Sequence, residues 1–438
     1  MARKANVTFG LLWLALLIAA STLVSPALTA STDVTENSWT TKSPMPTANG
    51  YLAAVVNGKI YVFGNSVNYE YDPATDAWAA KKPLPTPVQS FVVAACQDRI
   101  YVIGGNVYPV PTTGINEVYN PATDTWENRT PMPSNRSDME ANVVNGKIYL
   151  IGGYADPNKG TTSNLNEVYD PATNSWSMKA PMPYNAVHCA STVVDNKIYV
   201  IGGQNIYNWD FNQIYDPATD TWSQGTRIPV STWQAAAGAT TGTMAPKRIY
   251  VIGGQGSGML DFLSRNYVYD PQADSWSVGA DLPTPRSNLA VAVVNDLLYA
   301  VGGTVGWGTA TAAVEQYTPF GYGTVPPAVS VVSPKSNMTY ATGNVSLAFT
   351  VNKPAQGMSY SLDGQANVTV TGNTTLTGLS SGLHNVTVYA QDTLGNIGAS
   401  QTIYFSIEPF PTTLIAAAVV IAAAAGAGLI VYFKKYRR

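Results

Sequence analysis

Ile148-Tyr149-Leu150-Ile151-Gly152-Gly153, then Tyr169-Asp170-Pro171, then Trp176, is the stretch on which the fold turns. An apolar run stopped by paired glycines reads as a short strand. Asp followed by Pro favours a type I turn. Working outward, the apolar run occurs six times, at 60–65, 100–105, 148–153, 198–203, 249–254 and 298–303. The turns recur at Tyr71-Asp72-Pro73, Tyr119-Asn120-Pro121, Tyr215-Asp216-Pro217, Tyr269-Asp270-Pro271 and Tyr317-Thr318-Pro319. Tryptophans stand at 39, 78, 126, 176, 222 and 276, spaced 39, 48, 50, 46 and 54 residues apart.

A period near 50 with these marks predicts an all-β fold, a β-propeller built one blade at a time. Four strands can be read per unit. An inner strand such as 51–56 or 289–294 leads through a tight turn, Asn57-Gly58-Lys59 or Asn145-Gly146-Lys147, into the Ile-Tyr-Val-Ile strand. Asn-Gly suits that turn because both residues accept positive φ. The third strand ends at Tyr-Asp-Pro and the Trp strand follows. The paired glycines are read as a close-packing device, since no helix follows to cradle phosphate.

The Gly-Gly doublet, Tyr-Asp-Pro and spaced Trp together resemble the kelch repeat. The likeness runs from about Trp39 to Pro319, with Gly64-Asn65 in place of the first doublet, Thr318 in place of an Asp, and an insertion around 240–247. Trp39 has no Tyr-Asp-Pro before it, and Tyr317-Thr318-Pro319 has no Trp after it. Six blades over 37–320 are therefore complete only if the N-terminal Trp39 strand finishes the last one, which resembles the strand-swap closure of kelch propellers.

Beyond Pro326-Pro327, short alternating stretches (345–351, 385–389, 402–407) predict a β-sandwich over 321–408. It resembles the Ig-like spacer modules of prokaryotic surface proteins. Sequons crowd it at Asn337, Asn344, Asn367, Asn373 and Asn385, with Asn128 and Asn135 in the propeller, which predicts a glycosylated stalk. Residues 1–30 read as a secretory signal: Arg3 and Lys4, then an apolar run, then small residues. At the other end 412–433 carries no charge and is followed by the basic tail 434–438. Twenty-two helical residues reach across a hydrocarbon core of about 30 Å, so a single-pass anchor is expected with the preceding domains outside.

Without Arg3, Lys4 and the four tail cations, 18 basic residues face 27 acidic ones, leaving the exported part near −9. No basic patch is present, so nucleic acid is not an expected partner. The cysteines, Cys96 and Cys189, fall in different layers of non-adjacent blades and are expected to be buried free thiols.

Strand alternation places short, near-identical turns on one face and long, varied loops on the other, where function belongs. Each inner strand begins there with a candidate: Asn49, Gln89, Arg136 with Asp138, His188, Gln234, and Arg286 with Asn288. Further out lie Tyr108, Tyr154, Tyr207, Trp209, Phe211, Phe262 and Trp307. Aromatics beside amides and a few charges suit a carbohydrate or a protein epitope. Arg136 and Arg286 occupy positions where kelch proteins often present ligand-contacting arginines. With only His188 and His384, copper-oxidase ligands and a Cys/His metal cluster are not expected, and Asp-box repeats are missing. The expectation is a non-catalytic, cofactor-free adhesion or recognition protein on the cell surface. The alternatives are a membrane-tethered sugar-modifying enzyme of epimerase type, using Glu140 with Arg136 or Arg286, and a structural envelope component.

Overall fold

Six four-stranded antiparallel sheets follow one another along the chain in a computed structural model. It describes residues 35–409 and 412–436, apart from 49–50, 65–66, 108–111, 205–209, 257, 259–260 and 307. The side chains of 412–419, 428 and 436 are also outside the description, as are the residues of the expected signal segment 1–30.

The third blade shows the pattern. Glu140–Val144, Lys147–Ile151, Asn166–Asp170 and Ser175–Lys179 pair in that order from the axis outward. Ile148, Tyr149, Leu150 and Ile151 are all buried, because each face of this strand packs against a neighbouring blade. Innermost strands of successive blades pack against one another, and that of the sixth, Ala290–Val294, returns to that of the first, Leu52–Val56. Apolar cores therefore fill the spaces between blades. In the closing one Ile60, Val62 and Tyr71 meet Ala290, Ala292, Tyr299 and Val301.

Closure is made by the N-terminal strand. Ser38–Thr41 pairs antiparallel with Val314–Thr318, setting Trp39 opposite Tyr317. A latch repeats at all six blade boundaries. The Trp indole donates to a backbone carbonyl of the preceding blade: Trp78 to Ser43 (2.9 Å), Trp126 to Lys82 (3.0 Å), Trp176 to Thr130 (2.9 Å), Trp222 to Ala180 (2.9 Å), Trp276 to Thr226 (2.8 Å) and Trp39 to Ala280 (2.8 Å). Two residues before each Trp stands an Asp or Asn whose Oδ1 accepts twice. Asp124, for one, takes the Tyr119 hydroxyl at 2.6 Å and the Lys82 N–H at 2.9 Å. Asp76, Asn174, Asp220, Asp274 and Asn37 do the same. This Asp/Asn-x-Trp mark escaped the sequence reading, although it is present in all six units.

The glycine pair is a contact device. A Cβ on Gly105 would come within 2.4 Å of the Gln89 carbonyl, and the Gly105 N–H donates to Arg136 O on the next blade (2.8 Å). Cys96 and Cys189 are both buried free thiols.

After the ring, two sheets enclose one core. Val329–Ser333, Val345–Val351 and Thr374–Leu376 form the first. The second is centred on Gly382–Gln391, flanked by Gly357–Leu362 and Ile403–Ile407. Val345, Leu347, Phe349, Val386, Val388 and Phe405 are buried between them. The blade-five insertion touches the connection: Asp296 accepts backbone N–H groups of Thr241, Thr243, Met244 and Ala245, and Met244 O accepts from Gly323 N–H (2.7 Å). Asn396 of the second domain donates to Gly323 O at 2.6 Å.

Residues Thr412–Tyr436 form the one long helix among those described. The expected anchor 412–433 falls within it, with the side chains of 412–419 and 428 outside the description; among the described residues, no helix is long and apolar enough to cross a membrane.

Candidate functional site

At the start of the innermost strands of blades two to six the backbone turns left-handed at a residue that is not glycine. These are Ser90 (φ 51°), Asp138 (52°), His188 (54°), Gln234 (54°) and Asn288 (51°). The sixth equivalent, Gly50, lies outside the described residues. Side chains other than Asn, Asp and Gly adopt this conformation at a cost on the order of 1 kcal/mol or more each. Inter-blade bonds hold it in place: Asp138 N–H donates to Ser90 O, Gln234 N–H to His188 O and Asn288 N–H to Gln234 O, each at 2.9 Å. The twisted backbone delivers five side chains toward the axis.

They line a cavity of about 600 Å³, completed by Tyr51, Gln89, Glu140, Cys189, Ser191 and Thr304. Its size is that of a small-molecule site. Glu140 Oε2 accepts from Ser191 Oγ across the blade boundary (2.7 Å), and Asn142 Nδ2 donates to the same hydroxyl (2.9 Å). Burial, helped by the nearby Asp138 charge and opposed by the Ser191 bond, pushes the Glu140 carboxyl up to about 8. A carboxyl raised this far can carry its proton near neutral pH and so offer a hydrogen bond to a ligand. Burial lowers the His188 imidazole, while Asp138, 3.7 Å away, pulls it back up. The His188 ring lies between Tyr154 (5.7 Å) and Trp233 (5.8 Å). No Lys or Arg is among the described residues lining the cavity, and no group of three or more acidic, His or Cys side chains among them could hold a metal ion.

Asp138, His188 and Asn288 of the expected site thus meet at one cavity, with Gln89, Gln234 and Glu140. Three expectations are corrected. Arg136 and Arg286 are fully buried, two positions before the left-handed residue, and face the space between blades. Arg136 pairs with Glu167 (2.7 Å) and donates to Gly152 O (2.5 Å); Arg286 pairs with Glu315 (2.5 Å) and donates to Ala300 O (3.1 Å). Each is a cation holding a buried carboxylate, so neither serves a ligand nor joins Glu140 in chemistry. Phe211 is also buried, stacked on Tyr184 at 4.4 Å with Arg227 over its ring at 4.9 Å, so it packs its own loop. Tyr108, Tyr207, Trp209 and Trp307 lie outside the described residues, as does Asn49. Trp233, Ser191 and Tyr51 were missed, because only the ring brings residues from separate blades to one axis.

A family model described as the KLHDC2/KLHL20/DRC7 Kelch-repeats domain matches residues 90–303. Similar stretches occur in Kelch-like protein 35 of Mus musculus (36 % identity over 76 residues, 17 % of this chain and 13 % of that protein). Halomucin of Haloquadratum walsbyi shares 41 % over 96 residues, 20 % of this chain and 1 % of that one. Kelch-like ECH-associated protein 1B of Danio rerio shares 45 % over 58 residues, 13 % of this chain and 9 % of that one. The chain therefore spans only a small part of these relatives. Among solved structures, that titled "Structure of YjhT" superposes with a TM-score of 0.54 at 19 % identity, covering 62 % of this chain and 96 % of that one, which is a likeness of fold. The ring from Ser38 to Thr318 is a β-propeller, and its residues 90–303 match the kelch-repeat model.

Proposed function

We propose that the protein recognises a neutral carbohydrate in the axial cavity of its propeller, without catalysis. The observation that carries this is the lining. Amides of Gln89, Gln234 and Asn288, hydroxyls of Ser90 and Ser191, and the Tyr51 ring converge on about 600 Å³ with no Lys or Arg among the described lining residues. Amides and hydroxyls match sugar hydroxyls, aromatic rings match the apolar face of a pyranose, and Asp138 repels acidic ligands. The cell-surface setting rests on the chain's ends: the signal-like 1–30, and the uncharged 412–433 before a basic tail as a single-pass anchor. Between them the two-sheet domain 321–408 serves as an Ig-like, glycosylated stalk, with Asn337, Asn344, Asn367 and Asn373 exposed to receive sugar. The test is a glycan array followed by calorimetry on the full chain with Gln234→Gly and Asn288→Gly, which keep the positive φ and delete the side chain. Binding that weakens about tenfold or more supports the reading; no binding to any neutral glycan, or variants that bind like wild type, would count against it.

One observation favours a second reading, a sugar-modifying enzyme. Glu140 is a carboxyl poised near pH 8 in a ligand-sized cavity, as a proton donor would be. Turnover of a bound sugar, abolished in Glu140→Gln with binding retained, would replace the binding-only reading.

A further inference from the structure

A second cavity, of about 300 Å³, opens beside the axial one and shares Gln234, Asn288, Thr304 and Gly308 with it. Its other walls are Trp233, Phe262, Gln255, Ser287 and Gly306. The symmetry of the propeller makes Trp233 conspicuous. The residue immediately before the left-handed one is Gln89, Ser137, Val187, Trp233 and Ser287 in blades two to six, and each bridges to the residue after the Gly-Gly pair. Only blade five places an aromatic ring there. That ring is held: its backbone bridges Gln255, its indole N–H donates to Gly256 O (3.2 Å), and its ring meets His188 at 5.8 Å. Gln255 in turn bridges Phe262, which brings a second half-buried ring to the same groove. The repeat does not demand an aromatic at the Trp233 place, since the other described blades have Gln89, Ser137, Val187 and Ser287 there.

We infer that this groove is an outer subsite for the second sugar residue of a linear neutral oligosaccharide whose end occupies the axial cavity. This rests on the carbohydrate reading above. An aromatic ring offers a flat apolar face to the C–H side of a pyranose, while Gln234 and Asn288, at the boundary of the two cavities, can bond hydroxyls of both residues. The two cavities adjoin through the residues they share, so a chain whose end fills the axial cavity can continue into the groove.

Calorimetry on the full chain would use neutral gluco-, galacto- and manno-configured sugars of one to four residues. The expected result is about a tenfold gain in affinity from one residue to two and little beyond. Trp233→Ala should erase that gain, bringing the disaccharide down to the affinity of the monosaccharide for the same variant, while Trp233→Phe should retain most of it. Equal binding of one and two residues, or a gain that survives Trp233→Ala with Phe262→Ala, overturns the outer subsite alone. If no sugar of any length binds, or a peptide binds in its place, the carbohydrate reading falls with it.

Discussion

Asn37 and Tyr317 are 280 positions apart, and the Tyr317 hydroxyl donates to Asn37 Oδ1 at 2.7 Å. The same oxygen accepts the Ala280 N–H at 2.6 Å, so one amide joins the first strand, the fifth blade and the sixth. Everywhere else this bond pair is made within neighbouring blades of a continuous stretch of chain. Here it closes the ring. Asn37→Ala leaves a buried hydroxyl and a backbone N–H without their acceptor, costing about 1–3 kcal/mol. Asn37→Asp should fall within about 0.5 kcal/mol of wild type, since four other blades use Asp at this place. Urea unfolding of the three proteins tests both; equal midpoints for Asn37→Ala and wild type would refute the closure role.

Arg286→Ala should destabilise by roughly 3–5 kcal/mol, because Glu315 is left charged and buried. Arg286→Leu with Glu315→Leu should recover much of that loss, and sugar binding should be unchanged. Loss of binding in a folded double variant would return Arg286 to the site.

Glu140 gives the propeller an alkaline sensitivity. Its folded carboxyl titrates near 8, above the ordinary 4.5, so its contribution is fully present below pH 4.5 and is lost as pH rises through 8. Glu140→Gln should match wild type near pH 5 and exceed it by roughly 1–3 kcal/mol at pH 9 in thermal or urea melts. Identical pH profiles would show that the carboxyl is ordinarily ionised.

Glu70 acts in the opposite sense. Burial would raise its carboxyl, but bonds from Lys59, Lys81 and Tyr61 outweigh it and hold it at about 2. Its contribution is present above pH 4.5 and is lost as pH falls toward 2. Glu70→Gln should flatten the acid limb of the stability profile between those values, read by denaturant midpoints at pH 2.5, 3.5 and 5.

Gln234→Gly relieves a left-handed glutamine (φ 54°). It should leave stability unchanged or raise it by up to about 1 kcal/mol while weakening ligand binding, the mark of backbone strain held for function. Marked destabilisation, checked by calorimetric melting, would mean the side chain serves the scaffold.

Much of the scaffold was legible because each blade solves the same packing problem with the same residues. Ile148–Ile151, Tyr169 and Trp176 have equivalents in every unit, so repetition announced them. The count of Trp against Tyr-Asp-Pro even placed Trp39 in the last blade. Arg136 and Arg286 misled for a related reason: their place near the inner strand was right, but two positions along a twisted backbone separate the axis from the space between blades. A sequence shows such residues at the right level without showing which way they point. Phe211 failed likewise, since an aromatic in a varied loop looks the same whether it packs inward or faces a ligand.

By itself, then, the sequence determined the repeat, the blade count and the closing strand, because hydrophobic period and turn chemistry are local and recur. Only the tertiary structure decided the cavity. Asp138, Glu140, His188, Ser191, Gln234 and Asn288 come from four blades, and they meet because a closed ring brings the starts of all inner strands to one axis. The left-handed turn that aims them, and the burial that moves Glu140 toward 8, exist only once those blades are in contact.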